Sequence, residues 1–174
     1  MVGKSSLTYR LINYSAPEEH DPTIEDKFVT QVTIDNKQVT ISVLDTAGQE
    51  DYQKSLLDTW IDAGQGFLLV FALNDKDSFN DLDKKKARID IIKKREKCPI
   101  ILVGNKSDLQ NERKISRKEG EDKAKLWGAS YIETSAINDD NCKNAFVECA
   151  KKIIALDAKS SMIQPKDKKC WCFL

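Results

Sequence analysis

Residues 67–73, Phe-Leu-Leu-Val-Phe-Ala-Leu, are apolar at every position. A strand with one wet face alternates apolar and polar side chains, so this unbroken run points to a strand covered on both faces. Pro99 to Gly104 is a second buried strand of this kind. Helices packed on both faces of a mostly parallel sheet give that cover, and the chain carries the segments to do it. Apolar residues at helical spacing run through Lys4 to Tyr14 (Leu7, Leu11), Tyr52 to Ala63, and Ser78 to Glu96 (Phe79, Leu82, Ile89, Ile92). Ser116 and Glu119 have the spacing of a capping box for a helix ending near Gly128. Cys142, Ala145, Phe146, Cys149, Ala150, Ile153 and Ile154 form one more stripe, which places both of its cysteines in a core. Phe28 to Ile34 and Val39 to Asp45 read as an antiparallel hairpin turning at Asp35-Asn36-Lys37, and Ser130 to Glu133 as a short strand. The fold class is α/β, with a mixed, mostly parallel sheet and helices on both faces.

Open sheets of this class bind ligands beyond the carboxyl ends of their strands. Three segments put chemistry there. The alternation Val39, Ile41, Val43 leads into Asp45-Thr46-Ala47-Gly48-Gln49-Glu50. Asp45 can hold Mg²⁺ through water, because Mg²⁺ prefers hard oxygens and sheds its waters reluctantly. Gly48 lets a backbone N–H approach a phosphate, and Gln49 can orient a water without acting as a base. The second segment is Asn105-Lys106-Ser107-Asp108. A carboxylate at Asp108 can accept from both N1–H and the exocyclic amine of guanine, a pair that adenine cannot offer. The third is Gly3-Lys4-Ser5-Ser6, the closing positions of a G-x-x-x-x-G-K-[ST] phosphate loop, at the start of a helix whose N–H groups favour anions.

Singly, these segments are weak signals, and D-x-x-G also fits an ordinary polar turn. Together and in this order, over residues 1 to about 158, the chain resembles the small GTPases of the Ras family. D-T-A-G-Q-E at Asp45–Glu50 is similar to the second switch of that family and D-P-T-I-E-D at Asp21–Asp26 to the first. N-K-S-D at Asn105–Asp108 and T-S-A at Thr134–Ala136 are similar to its two guanine-contacting loops. The resemblance implies a P-loop GTPase domain with GTP/GDP and Mg²⁺ as ligands, and a signalling switch that hydrolyses GTP. Gly3, Lys4, Ser5 and Ser6 would take the phosphates. Ser5, Thr23 and Asp45 would hold the metal, with Thr23 also reaching the terminal phosphate, which Gly48 senses. Gln49 would position water, with Lys4 and Thr23 completing the catalytic set. Asn105 would brace the loops, Lys106 cover the base and Asp108 read it, while Ser135 and Ala136 place backbone donors at the guanine carbonyl. Effectors, exchange factors and GTPase-activating proteins are the implied partners. Effectors would meet the edge from Asp26 to Val32, where the acids Glu25 and Asp26 call for a basic face.

Some positions depart from the family pattern. The strand and first half of the phosphate loop that the family carries ahead of Gly3 are absent, so the central strand of the sheet is missing. Ala16 stands where an aromatic residue covers the base, His20 at another position that is usually aromatic, and Ile137 where lysine is common. These departures favour the alternative: a non-hydrolysing interaction module, or a truncated or decayed GTPase that binds nucleotide poorly.

Composition excludes some classes. Lys+Arg and Asp+Glu are both 28, so net charge gives no case for nucleic acid, and Lys84-Lys85-Lys86 reads as a solvated helix face. No apolar run approaches the roughly 20 residues of a membrane span. Five cysteines, with no metal-ligand spacing before the tail, suit a reducing cytosol. Residues 1–158 are expected to form the GTPase domain and residues 159–174 a flexible basic tail. That tail ends Cys170-Trp171-Cys172-Phe173-Leu174, which departs from C-a-a-X. Lipidation there would hold the protein at the cytoplasmic face of the plasma membrane; unmodified, it would remain in the cytoplasm.

Overall fold

The computed structural model describes residues 1–12, 25–46, 54–94, 97–138 and 141–160. In chain order the elements are α1 (Lys4–Leu11), β1 (Glu25–Ile34), β2 (Lys37–Thr46), α2 (Lys54–Ala63), β3 (Phe67–Ala72), α3 (Lys76–Lys93), β4 (Ile100–Asn105), a 3-10 turn (Gln110–Glu112), α4 (Arg117–Trp127), β5 (Ser130–Glu133) and α5 (Cys142–Ser160). β1 and β2 pair antiparallel, while β3, β4 and β5 pair parallel in that order. Among the described residues no ladder joins β2 to β3, so the strands form a two-stranded and a three-stranded sheet.

The apolar runs are covered on both faces, and the pleat sorts them. Leu68, Val70, Ile101 and Val103 face a layer made by Leu7 and Leu11 of α1 and the stripe of α5. Phe67, Leu69, Phe71, Ile100 and Leu102 face the opposite layer, with Phe79, Leu82 and Ile89 of α3 and Ile61 of α2. The hairpin joins both: Val32, Ile34, Ile41 and Val43 enter the first layer and Leu44 the second. Cys142 and Cys149 are buried in that first layer, as their spacing predicts.

The boundaries differ from the sequence reading in ways that local chemistry explains. The hairpin turns on Asp35 and Asn36 alone, both at positive φ (48° and 61°), leaving Lys37 free to begin β2. Such tight two-residue turns favour Asn and Asp. α3 begins at Lys76 because the Asp75 carboxylate accepts from the backbone N–H groups of Asp77 and Ser78. α4 has its capping box as read: Ser116 Oγ accepts from Glu119 N–H at 3.2 Å, and Glu119 Oε2 accepts from Ser116 N–H at 2.8 Å. Gly128 ends it in the left-handed conformation. α1 stops at Leu11, short of Tyr14.

Candidate nucleotide site

The carboxyl ends of β4 and β5 stand side by side, with Gly104 in register with Glu133. Each strand hands its chain to a polar loop, and hydrogen bonds fasten the two loops together. Ser107 N–H donates to Thr134 O at 3.0 Å, and Thr134 Oγ1 donates to Asn105 Oδ1 at 3.0 Å. Ser135 Oγ donates to Asp108 Oδ1 at 2.6 Å and accepts from Asn138 N–H at 3.1 Å. Asn105, Thr134 and Ser135 are buried, so each of these polar groups needs its partner. Lys106 adopts φ 65° in this turn, a conformation uncommon for a residue with a side chain and one that recurs at ligand sites.

The amino end of α1 meets the same place. Asn105 Nδ2 donates to Val2 O at 2.9 Å. Gly3 caps the helix at φ 88°, and a Cβ built there would lie 2.5 Å from Asn105 Nδ2. Glycine is therefore required both by the backbone angle and by the space. Lys4, Ser5 and Ser6 form the first turn, next to the loops of β4. Asp45 is buried near the end of β2, the strand on which α1 packs.

Thus Gly3, Lys4, Ser5, Ser6, Asn105, Lys106, Asp108, Ser135 and Ala136 converge on one end of the three-stranded sheet, and Asp45 stands at the end of the neighbouring strand. Thr23, Gly48, Gln49, Ala16 and His20 lie outside the described residues, as do the side chains of Glu25 and Asp26 and the tail from residue 161. Ile137 is exposed.

A family model described as "Ras family" matches residues 1–155. The chain belongs to the Ras family. Among similar proteins, "Protein ras-1" of Neurospora crassa is 44% identical over 158 residues, covering 91% of this chain and 74% of the relative. "Ras-like protein RAS2" of Hydra vulgaris is 39% identical over 168 residues, covering 97% and 86%. "Ras-like protein" of Laccaria bicolor is 41% identical over 151 residues, covering 87% and 72%. This Ras-family chain therefore has the P-loop GTPase fold and the character of a small GTPase switch, and its relatives do not favour the interaction-module alternative. The family generally binds guanine nucleotide and hydrolyses GTP.

The donor set fits the ligands of the Ras family. The cramped Gly3–Asn105 contact leaves bare backbone at a helix amino end, where a phosphate fits without a side chain in the way. Asp108 has one carboxylate oxygen held by Ser135, which orients the group. Among the described residues no three Asp, Glu, His or Cys side chains cluster as metal ligands. A Mg²⁺ ion held by hydroxyls, water and phosphate does not need such a cluster. No helix of the described residues is long and apolar enough to cross a membrane.

Two groups that brace the site escaped the sequence reading. Arg10 Nε donates to Ala136 O at 2.6 Å and its terminal nitrogen donates to Ile137 O at 3.1 Å. Cys142 Sγ donates to Ser135 O at 3.3 Å. Nothing in the sequence marks Arg10, because its partners lie 126 and 127 residues away. The spacing that placed Cys142 in the core identifies its helix face but not its thiol's partner. Beside the loops, Arg113 grips both oxygens of Glu133 at 3.0 and 2.9 Å, and Tyr131 Oη donates to it at 2.9 Å. Burial alone would raise the Glu133 pKa, but these hydrogen bonds outweigh it and hold the carboxyl below its usual range.

Proposed function

We propose that this chain is a GTP-binding, GTP-hydrolysing switch whose site is built from residues 3–6, 45–49, 105–108 and 134–136. The observation that carries the reading is the bonding of Asp108 to Ser135 and of Asn105 to Thr134 and Val2, which draws three sequence-distant segments to one strand end. In this assignment Lys4 and the first turn of α1 hold the phosphates, and Asp108 reads guanine. Ser135 and Ala136 offer backbone donors to the base carbonyl, and Lys106 covers the ring. Ser5, Thr23 and Asp45 hold Mg²⁺, which when bound neutralises charge on the phosphate oxygens. Gln49 orients a water toward the terminal phosphorus. The water's oxygen bonds to phosphorus, the bond to the GDP oxygen breaks, and GDP and phosphate leave. Gly48 senses the terminal phosphate, and its loss releases the segments containing Thr23 and Gln49, a change that partners read. The Ras mechanism is an established example of this chemistry and is carried over here.

Residues 1–158 are assigned as the GTPase domain. Effectors are placed on β1, which among the described residues pairs on one side only and exposes Val29. Exchange factors and GTPase-activating proteins complete the cycle. Attachment to the cytoplasmic face of the plasma membrane, if the tail provides it, runs through Cys170 or Cys172.

Single-turnover hydrolysis of labelled GTP by the wild-type chain and by Gln49→Leu tests this. We expect GTP affinity to be largely kept and hydrolysis to fall about tenfold or more, because Gln49 faces the attacking water and not the ground-state phosphates. Equal hydrolysis would remove Gln49 from the mechanism, and no turnover by the wild-type chain would remove the enzyme.

A further inference from the structure

We infer that Arg10 is a positioning residue for guanine: it holds the loop after β5 so that its backbone donors face the base carbonyl. The inference rests on the nucleotide assignment above. Arg10 sits in the last turn of α1, and its guanidinium donates to two successive carbonyls, Ala136 O and Ile137 O, at 2.6 and 3.1 Å. Two donors of one rigid plane reaching two adjacent acceptors fix orientation as well as distance. A trans peptide is planar, so a carbonyl turned toward Arg10 sends the N–H of the same peptide to the opposite side. Arg10 thereby sets the direction of the Ile137 and Asn138 N–H groups. Asn138 N–H, on the side away from Arg10, meets Ser135 Oγ, the same hydroxyl that engages Asp108. The side of the loop opposite Arg10 is thus the side that carries Asp108.

The helix matters as much as the side chain. Lys4 and Arg10 are six residues apart on one continuous helix, about 9 Å along its axis. One rigid element therefore carries the phosphate contacts at its amino end and grips the base loop at the other. Ile137, where the family commonly has lysine, is 72% exposed and gives the loop no such hold. The guanidinium supplies it from the opposite strand of the site.

The test compares GDP with 6-thio-GDP by equilibrium titration of the full chain. The thio analogue keeps the N1–H and amine that Asp108 reads, and replaces the carbonyl oxygen by a weak acceptor. Wild type is expected to prefer GDP. Arg10→Ala is expected to weaken GDP roughly tenfold, as the loss of charge-assisted bonds predicts, and 6-thio-GDP much less. The preference therefore shrinks, while the melting temperature without nucleotide stays close to that of wild type. A general structural role would weaken both nucleotides alike, and an unshrunk preference overturns the assignment. If the alanine form binds neither nucleotide, Arg10→Lys, which keeps the charge but not the fork, gives the same ratio. A wild-type chain that binds neither fails at the nucleotide reading itself, and the role of Arg10 falls with it.

Discussion

Gly3 holds φ 88° with its α-hydrogen side turned to the amide of Asn105. Gly3→Ala would place a methyl 2.5 Å from Nδ2, in a backbone conformation that L-residues disfavour. Asn105 cannot retreat without giving up Val2 O on one side and Thr134 Oγ1 on the other. The expected loss is about 2–3 kcal/mol from backbone strain plus a broken hydrogen bond, read as a lower urea midpoint. Nucleotide affinity should fall with it, since the phosphate end and the base loop share Asn105. An unchanged midpoint would mean that the amide moves freely and braces nothing.

α4 shows how one helix can be fixed at its start and along its face by different forces. At the start, Glu119 is drawn down to a pKa of about 2, chiefly by its hydrogen bond with Lys76 at 2.6 Å and then by Ser116. A depressed carboxyl stabilises the fold above its unfolded value, near 4.5, and that contribution fades as pH falls toward 2. Glu119→Gln keeps the shape and removes the charge. Its melting temperature should therefore lie below wild type at neutral pH and converge with it in strong acid. The gap should be small and should narrow with salt, because the pair is exposed. A gap that persists at pH 2 would assign the effect to packing. Along the face, Gly120 lies directly on the Tyr131 ring, with a built Cβ 2.6 Å from Cε2. That ring is stacked on Phe71 and tethered to Glu133 through its hydroxyl, so it has nowhere to go. Gly120→Ala should thus destabilise by roughly 1–2 kcal/mol, although alanine is the better helix former by about 1 kcal/mol. Chemical denaturation decides the sign.

For the whole molecule, the two sheets are neighbours through side chains and not through a ladder. β4 has strands on both sides and helices on both faces, whereas β1 and β2 pair only with each other among the described residues. Two-stranded hairpins are marginal alone and here depend on Val32, Ile34, Ile41, Val43 and Leu44 reaching the common core. Native-state hydrogen exchange should therefore find the β1 and β2 amides opening at lower denaturant than those of β4. Simultaneous opening would show that the core couples the two sheets as firmly as a ladder does.

The apolar runs at 67–73 and 99–104, the α5 stripe and the Ser116–Glu119 cap were legible because each is written in neighbouring residues. Local spacing decides which side chains share a face, and burial follows from it. The motif residues at 3–6, 45 and 105–108 were legible as chemistry for the same reason: a short loop at a strand end carries its own ligands. Pairings between distant segments were not legible. Arg10 with Ala136, Asn105 with Val2, and Arg113 with Glu133 join residues 126, 103 and 20 positions apart, and no periodicity encodes such a distance. Sequence alone determined the layers of the fold and the residue types of the site. Tertiary structure decided how those residues are held, because a hydrogen bond is selected by orientation within a few tenths of an ångström, and only the packed helices and strands set that orientation.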